Sequence, residues 1–376
     1  MSTTSAERLR APWGAIACGL GPRAAGDGLA DLDAEGLVRV SFAFDGAPRP
    51  DVEQLLSEAA SVRRDGQGRV RVLIPRARLE ELARATPWVE HLLNAFDLAA
   101  APAPPPRLVG VLNATPDSFS DGGELPTVDS AVERAHELKA AGAEILDVGG
   151  ESTRPGALPV TPDEERRRVV PVIEALVAEG LGPVSVDTRR AAVAEAAIRA
   201  GAQMVNDVEA GTRDAQMLPV VAVHGVEYVA MHMRGEPTTM QAAPHYQDVV
   251  DEVAEFLRSR VGACVAAGID PERIVLDPGI GFGKALAHNL TLLARLAELR
   301  SIGLPLYLGV SRKRFIGALT EEAVPARRLH GTAAAVAACI GGGAEFLRVH
   351  DVAEMRAVAR VAAAVRDAGG GERDEC

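Results

Sequence analysis

A (β/α)8 (TIM) barrel preceded by a small α/β or α+β domain is the fold this sequence predicts, on three observations. After a proline-rich stretch, short apolar runs alternate with amphipathic helical patterns eight times within about 265 residues, the arithmetic of that barrel. The apolar runs are rich in Val, Ile and Leu, as buried parallel strands are. Polar residues gather just past the ends of those runs, where α/β barrels carry their sites. A doubly wound open sheet is the main rival, but it rarely needs so many even repeats.

The elements follow in order. Residues 1–12 carry no pattern. From Trp13 to about Ala100 there are strand-like runs at Gly14–Leu20, Leu37–Phe44 and Arg69–Pro75, with helical patterns at Val52–Arg64 and Leu79–Leu98, which makes 1–100 a small separate domain. No cluster of polar groups marks a site in it. Ala101-Pro-Ala-Pro-Pro-Pro106 reads as a stiff linker, and the barrel occupies 107–376. Its strands are expected at Leu108–Leu112, Glu144–Val148, Pro183–Val186, Met204–Val208, Glu227–Met231, Ile274–Leu276, Leu306–Val310 and Glu345–Val349. Its helices are expected at Val128–Ala141, Asp163–Glu179, Ala191–Ala200, Ala215–His224, Gln247–Ala267, Ala287–Ile302, Ala326–Ile340 and Val352–Ala368.

Composition narrows the function. With 376 residues, 47% of them apolar, the chain can bury a large core. A net charge of −12 argues against nucleic acid or an anionic membrane as partner, so any anion must be met by local arginines. The four cysteines, Cys18, Cys264, Cys339 and Cys376, are scattered, which fits a reducing cytoplasm and shows no zinc spacing. No signal-peptide pattern opens the chain, and the Ala-rich run Thr332–Ile340 is too short to span a bilayer.

The strand ends carry the chemistry. Strand one runs into Asn113-Ala-Thr-Pro-Asp117-Ser-Phe119-Ser-Asp121-Gly-Gly, a polar loop with Pro and Gly hinges of the kind that closes over substrates. Strand two carries Asp147 within an apolar run and breaks into Gly149-Gly150-Glu151-Ser152-Thr153-Arg154-Pro155-Gly156, whose arginine fork suits phosphate or carboxylate. The later ends are Asp187-Thr188, Asn206-Asp207, Met231-His232-Met233-Arg234, Asp277-Pro-Gly-Ile-Gly281-Phe282-Gly283-Lys284, Ser311-Arg312-Lys313 and Arg348-Val-His350-Asp351. A single Asp after a strand is more often a helix N-cap than a catalyst, and Asp187 or Asp351 alone could be only that. Six polar strand ends on one rim exceed what capping requires. Lys313 is one of only three lysines, with Lys139 and Lys284, in a chain whose default cation is arginine. His232, between two methionines, is as well explained as a space-filler. Gly279, Gly281 and Gly283 are a weak nucleotide signal, better read as backbone making room for a flat ligand. Asp187, Asn206 and Asp277 supply acceptors for a heterocycle rich in N–H donors, while Asn113, Arg154, Arg348 and His350 suit an anionic leaving group. There is no Gly-x-Ser-x-Gly elbow, Cys–His signature or His-rich metal triad.

Together the segments at 113–123, 149–156, 185–188, 206–208, 231–235, 277–284, 311–313 and 348–351 resemble dihydropteroate synthases, in the family's order, over about 107–368. The departures are Ala114, where Val is usual, and Glu209-Ala210, where Ser-Gly often follows Asn-Asp-Val. The first hundred residues lie outside the resemblance. It implies a cytoplasmic transferase that joins 6-hydroxymethyl-7,8-dihydropterin diphosphate to p-aminobenzoate, releasing pyrophosphate, and that serves folate synthesis as the sulfonamide target. By the resemblance, Asp187, Asn206, Asp277 and Lys313 hold the pterin, with Met231 and Phe282 lining its slot. Asn113 binds Mg²⁺ with the diphosphate, whose charge Arg154, Arg348 and His350 neutralise. Thr153, Arg154, Pro155, Phe119 and Ser311 shape the p-aminobenzoate pocket, and Asp187, Arg154 and Lys313 are the catalytic group. The resemblance also implies a homodimer through the last helices. Two alternatives are a pterin-dependent methyltransferase, which would need neither the Ser-Thr-Arg-Pro loop nor Arg348 with His350, and a non-catalytic pterin-binding paralogue.

Overall fold

The computed structural model describes residues 16–18, 37–43, 50–64, 69–84, 89, 93, 103–114, 127–151, 160–235, 240–241 and 243–368. The chain divides into two compact units, one of 1–101 with 250–258 and 295–303, the other of 102–249, 259–294 and 304–376.

In the first unit, β1 (Ile16–Cys18), β2 (Leu37–Ala43), α1 (Pro50–Ser57), β3 (Ser61–Arg64), β4 (Arg69–Pro75) and α2 (Arg76–Ala83) follow one another. The strands pair antiparallel in the order β1-β2-β4-β3, so among the described residues this unit is α+β. Alternation along β4 turns Val70, Val72 and Ile74 inward onto Leu55, Leu79, Leu82 and Val89. The helix expected over Val52–Arg64 ends at Ser57, and its last residues become β3. Pairing of Ser61 with Leu73 and of Arg64 with Val70 gives that segment a backbone ladder, which outweighs its helical spacing. The Asp65-Gly66 that follows is the hairpin signal the spacing masked. Of Leu79–Leu98, α2 covers the start. From residue 85 on, only 89 and 93 lie within the described residues.

The second unit is the barrel. Its strands are β5 (Arg107–Asn113), β6 (Ile145–Gly149), β7 (Val184–Asp187), β8 (Met204–Asp207), β9 (Glu227–Met231), β10 (Ile274–Asp277), β11 (Tyr307–Leu308) and β12 (Phe346–Val349). Each pairs parallel with its neighbour in the order β10-β9-β8-β7-β6-β5-β12-β11. A parallel bridge between Leu276 and Leu306, with Leu276 N donating to Pro305 O at 2.9 Å, joins the two ends and closes the ring.

The helices that follow the strands in the chain are α3 (Val128–Ala141), α4 (Pro162–Ala178), α5 (Ala191–Arg199), α6 (Met217–His224), α7 (Val249–Ala266), α8 (Leu286–Ala294), α9 (Leu296–Leu299), α10 (Arg314–Thr320), α11 (Leu329–Gly341) and α12 (Val352–Ala368), of which α9 and residues 250–258 of α7 group with the first unit. Thr127 caps α3 by accepting from Ser130 N at 3.1 Å, and Thr161 caps α4 by accepting from Glu164 N at 3.2 Å. The single helix expected over Ala287–Ile302 is instead α8, α9 and a 3-10 turn. The break falls at Arg295, which leaves helical geometry (φ −113°, ψ 21°) and forks onto Glu298. Helix α10, seven residues directly after Ser311-Arg-Lys, has no sequence pattern long enough to find it.

Strand alternation also builds the core in layers. Val109, Ile145, Met204, Val229, Val275, Tyr307 and Phe346 form one apolar cluster inside the ring. Two residues further along each strand, the same face carries Val111, Asp147, Asn206, Met231, Asp277 and Arg348.

Candidate active site

The layer above the apolar plug is polar because period two places it there. Asp147 sits two residues past Ile145, Asn206 two past Met204, Asp277 two past Val275 and Arg348 two past Phe346. Asp187 and Asn206 are direct register partners, as are Asp277 and Met231, and Gly149 pairs with both Asn113 and Asp187.

Arg348 and Asp147 organise the centre. Arg348 Nε donates to Asp147 Oδ2 at 2.5 Å and Nη2 donates to Asp187 Oδ2 at 2.8 Å. Asn206 Nδ2 donates to the same Asp147 Oδ2 at 3.2 Å, with the Tyr307 hydroxyl at 3.5 Å. Asp147 is fully buried, and its other oxygen, Oδ1, has no hydrogen-bond partner among the described residues. Burial pushes Asp187 up to about 7; Arg348 pulls it back, and Asp147, Glu165 and Asp207 add to the rise. Burial opposes the charge of Arg348, but the facing Asp147 and Asp187 more than offset this and raise its pKa. A carboxylate whose pKa is raised towards neutrality in a barrel mouth is the kind of group that functional sites hold.

The turn after β10 makes the second wall. Asp277 Oδ1 accepts from Gly279 N at 2.7 Å, and burial raises its pKa against the charge of Lys313. Lys313 Nζ donates to Ile280 O and lies 4.6 Å from the centroid of the Phe282 ring. Burial brings Lys313 down to about 8, with Asp277 opposing. Gly279, Gly281 and Gly283 all have positive φ, but the space they leave belongs to the protein. A Cβ on Gly279 would stand 1.9 Å from His232 O, one on Gly283 2.2 Å from Arg234 O, and one on Gly281 3.2 Å from Lys313 Cδ. The glycine run therefore admits the β9 loop and Lys313, which corrects the flat-ligand explanation. His232 is a buried structural residue: its Nδ1 is 2.9 Å from Lys284 Nζ, and burial together with the Lys284 charge lowers its pKa to about 2.

On the rim, His350 Nδ1 and N lie 3.0 and 3.3 Å from Ser311 Oγ, which ties the β11 and β12 ends together. Asn113 Oδ1 and Asp187 Oδ2 are each 3.7 Å from the place a Gly149 Cβ would fill. Asn113 thus brings a side-chain oxygen, the donor type a hard cation takes, to the mouth, while Asp187 Oδ2 already accepts from Arg348. No group of three or more His, Cys, Asp or Glu able to hold a metal occurs among the described residues. Phe119, Thr153, Arg154 and Pro155 lie outside the described residues; the structure brings together all the other predicted site positions around the polar layer or its rim. Sequence reasoning left Asp147 and Tyr307 without roles. The signal for Asp147 is in the sequence: one acid inside an otherwise apolar strand.

A family profile described as pterin binding enzyme matches residues 109–350. The dihydropteroate synthase of Synechocystis is 45% identical over 258 residues, 69% of this chain and 89% of that protein. Two solved structures of Xanthomonas albilineans dihydropteroate synthase are similar to the barrel. One, with 4-aminobenzoic acid, has 50% identity and a TM-score of 0.65, covering 69% of this chain and 93% of that one. The other, in complex with 7,8-dihydropteroate, has 47% identity and a TM-score of 0.63, covering 69% and 94%.

Proposed function

This chain belongs to the pterin-binding enzyme family, and from that premise we infer that it is a dihydropteroate synthase. It transfers the methylene of 6-hydroxymethyl-7,8-dihydropterin diphosphate to the amine of p-aminobenzoate, giving 7,8-dihydropteroate and pyrophosphate. The observation that carries this is the polar layer itself: half-buried Asp187 and the buried acceptors Asn206 and Asp277 beside the cations Lys313 and Arg348, over an apolar floor.

The division of labour follows from donor and acceptor chemistry. Asp187, Asn206 and Asp277 accept from the amino and ring N–H groups of the pterin, and Lys313 donates to its carbonyl edge. Leaving one such buried group unpaired costs about 1–3 kcal/mol, enough to select a donor-rich heterocycle. Met231 and Phe282 line the slot. Arg348, already between two carboxylates, and His350 face the diphosphate, joined by Arg154. Asn113 would hold Mg²⁺, which when bound would supply positive charge against the phosphates of the leaving group.

The reaction is dissociative. The methylene C–O bond breaks with its electron pair leaving on the diphosphate. Asp187 in its ionised form steadies the methylene cation in a water-poor mouth. The lone pair of the arylamine then forms the C–N bond, and the ammonium proton is lost to solvent or pyrophosphate. Thr153, Arg154, Pro155, Phe119 and Ser311 seat p-aminobenzoate.

We propose a cytoplasmic location from the family resemblance, and cell fractionation tests it. Among the described residues no helix is long and apolar enough to cross a membrane. The chain forms a homodimer: Val361 and Val365 on α12 are 64% and 68% exposed beside exposed Ala334 and Ala338 of α11, an apolar face that a second copy would cover. A monomer in sedimentation at micromolar concentration would remove this assignment.

The defining experiment measures pyrophosphate release from the pterin diphosphate with Mg²⁺, with and without p-aminobenzoate. Release that accompanies dihydropteroate only with p-aminobenzoate is expected. Pterin binding with no product would leave a non-catalytic pterin binder.

A further inference from the structure

A cavity of about 710 Å³ lies at the other end of the barrel, lined by residues of the second unit alone. Its walls are α3 and α12, the start of β5, the turn from α3 into β6 and the residue before β7. These are the N-terminal ends of the strands, the face opposite the polar layer and one where barrels carry no catalytic groups. The volume is that of a small-molecule site, since ligand pockets run from about 300 to 1,000 Å³.

Its charge is opposite to that of the chain. Arg107, Lys139, Arg356 and Arg360 line it with a single acid, Glu144, in a protein of net charge −12. Glu144 is already engaged, with its Oε2 3.6 Å from Arg107 Nε. Lys139 Nζ donates to Glu144 O and Gly182 O, each at 3.1 Å, which fixes the ammonium at the wall and leaves one of its three N–H groups for a ligand. Burial lowers the pKa of Lys139 against the pull of Glu144, so its charge is one that a further anion stabilises.

Arg356 and Arg360, exposed on α12, have no hydrogen bond or ion pair among the described residues. Other helices answer an arginine with an acid one turn away, as in Arg134–Glu137, Arg168–Glu164 and Arg199–Glu195. On α12 the positions three and four residues from these two arginines hold only Val, Ala and each other. Like charges at that spacing repel, so bringing the two together lowers the stability of the helix. Arg356 is also seated: a Cβ on Gly142, at φ +108°, would stand 2.7 Å from its Cδ, and the glycine leaves that room to the arginine stem. Unpaired guanidinium groups set in a concave wall are the donors that phosphate takes. Ala143, Ala359 and Ala363 line the same cavity and make an apolar wall for an organic body beside the anion. By helical spacing Arg356 and Val365 stand on opposite sides of α12, so a dimer built on the valine face leaves the cavity open.

We propose that this cavity is a second ligand site, which takes a small organic polyphosphate of about nucleotide size with its phosphates on Arg356, Arg360 and Lys139. Its occupant is bound on the far side of the barrel from the polar layer and does not compete for that layer.

The test is calorimetric titration of the full-length protein with ATP, adenosine and pyrophosphate as probes, in the presence of EDTA. A site for ATP and no binding of adenosine are expected, with ATP affinity lowered about tenfold or more in each of Arg356→Gln and Arg360→Gln. Both side chains are exposed, so the variants keep the fold, and unchanged thermal melts check this. His350→Ala, on the rim of the opposite face, should leave the ATP site as it is. Pyrophosphate is read as the part of its binding that Arg356→Gln removes, and that part should be weaker than ATP. The site is overturned if ATP fails to bind at millimolar concentration, if the arginine variants bind it as the wild type does, or if His350→Ala removes the binding. Pyrophosphate held there as tightly as ATP would overturn the organic ligand.

Discussion

Replacing Gly279 with alanine tests whether the glycine run serves the protein or the ligand. At φ +67° a side chain is strained by about 1–2 kcal/mol whatever surrounds it. The added Cβ would also meet the backbone oxygen of His232 at 1.9 Å, and that carbonyl must retreat to at least 3.0 Å. Overpacking against rigid backbone adds about 1–3 kcal/mol, for a total of about 2–5 kcal/mol. The retreat strains two contacts that set the pterin wall, His232 N to Asp277 O at 2.9 Å and Gly279 N to Asp277 Oδ1 at 2.7 Å. Displacement on that scale should weaken pterin use by about a hundredfold. Two other glycines separate the terms. Gly180, at φ +70°, has nothing within 4 Å of its would-be Cβ, so Gly180→Ala measures backbone strain alone. Gly281→Ala, at φ +86°, meets only the movable Lys313 Cδ at 3.2 Å and should fall between. Thermal melts and pterin titration of the three variants give the order. If Gly279→Ala is no worse than Gly180→Ala in both, the close-approach explanation is wrong.

Three further outcomes are expected. Arg348→Met leaves buried Asp147 and half-buried Asp187 without their cation, which should cost about 3 kcal/mol in denaturant melts near neutral pH and abolish turnover; a loss under about 1 kcal/mol would show that Asp147 does not depend on it. Tyr228→Phe removes the hydroxyl that donates to Asp207 Oδ2 at 2.8 Å, about 1.5–3 kcal/mol for a bond to a carboxylate. Burial raises Asp207 to about 6, and the lost bond served the ionised form, so Asp207 rises further in the variant; the deficit should be largest at alkaline pH, shrink as pH falls towards 6 and be gone below it, and a pH-independent deficit contradicts this. Burial lowers Lys313 to about 8, so its charge is lost as pH rises through that value and kcat/KM should fall on the alkaline side. Lys313→Arg, which stays charged, should carry that limb out of range, and an unmoved limb would assign it to another group.

Much of the fold was legible because it depends on local periodicity. The barrel strands fall within a few residues of their apolar runs, and α3 and α12 match their patterns end to end, since caps such as Thr127 are written in single residues. Segments whose state depends on a distant partner were not legible. Ser61–Arg64 has helical spacing and became a strand because β4 offered it a ladder. The Ala287–Ile302 pattern broke where Arg295 turned onto Glu298.

For the site the division has the same cause. Residue types and their place at strand ends, Asp187, Asn206, Asp277, Lys313, Arg348 and His350 among them, follow from the sequence alone, because a strand's period and direction dictate which side chains share a rim. Who pairs with whom does not. That Arg348 rests between Asp147 and Asp187, 201 and 161 residues away, that His232 answers to Lys284, and that three glycines yield to neighbouring backbone are set by closure of the ring. A strand specifies its own faces, but only the closed barrel specifies the distances across them.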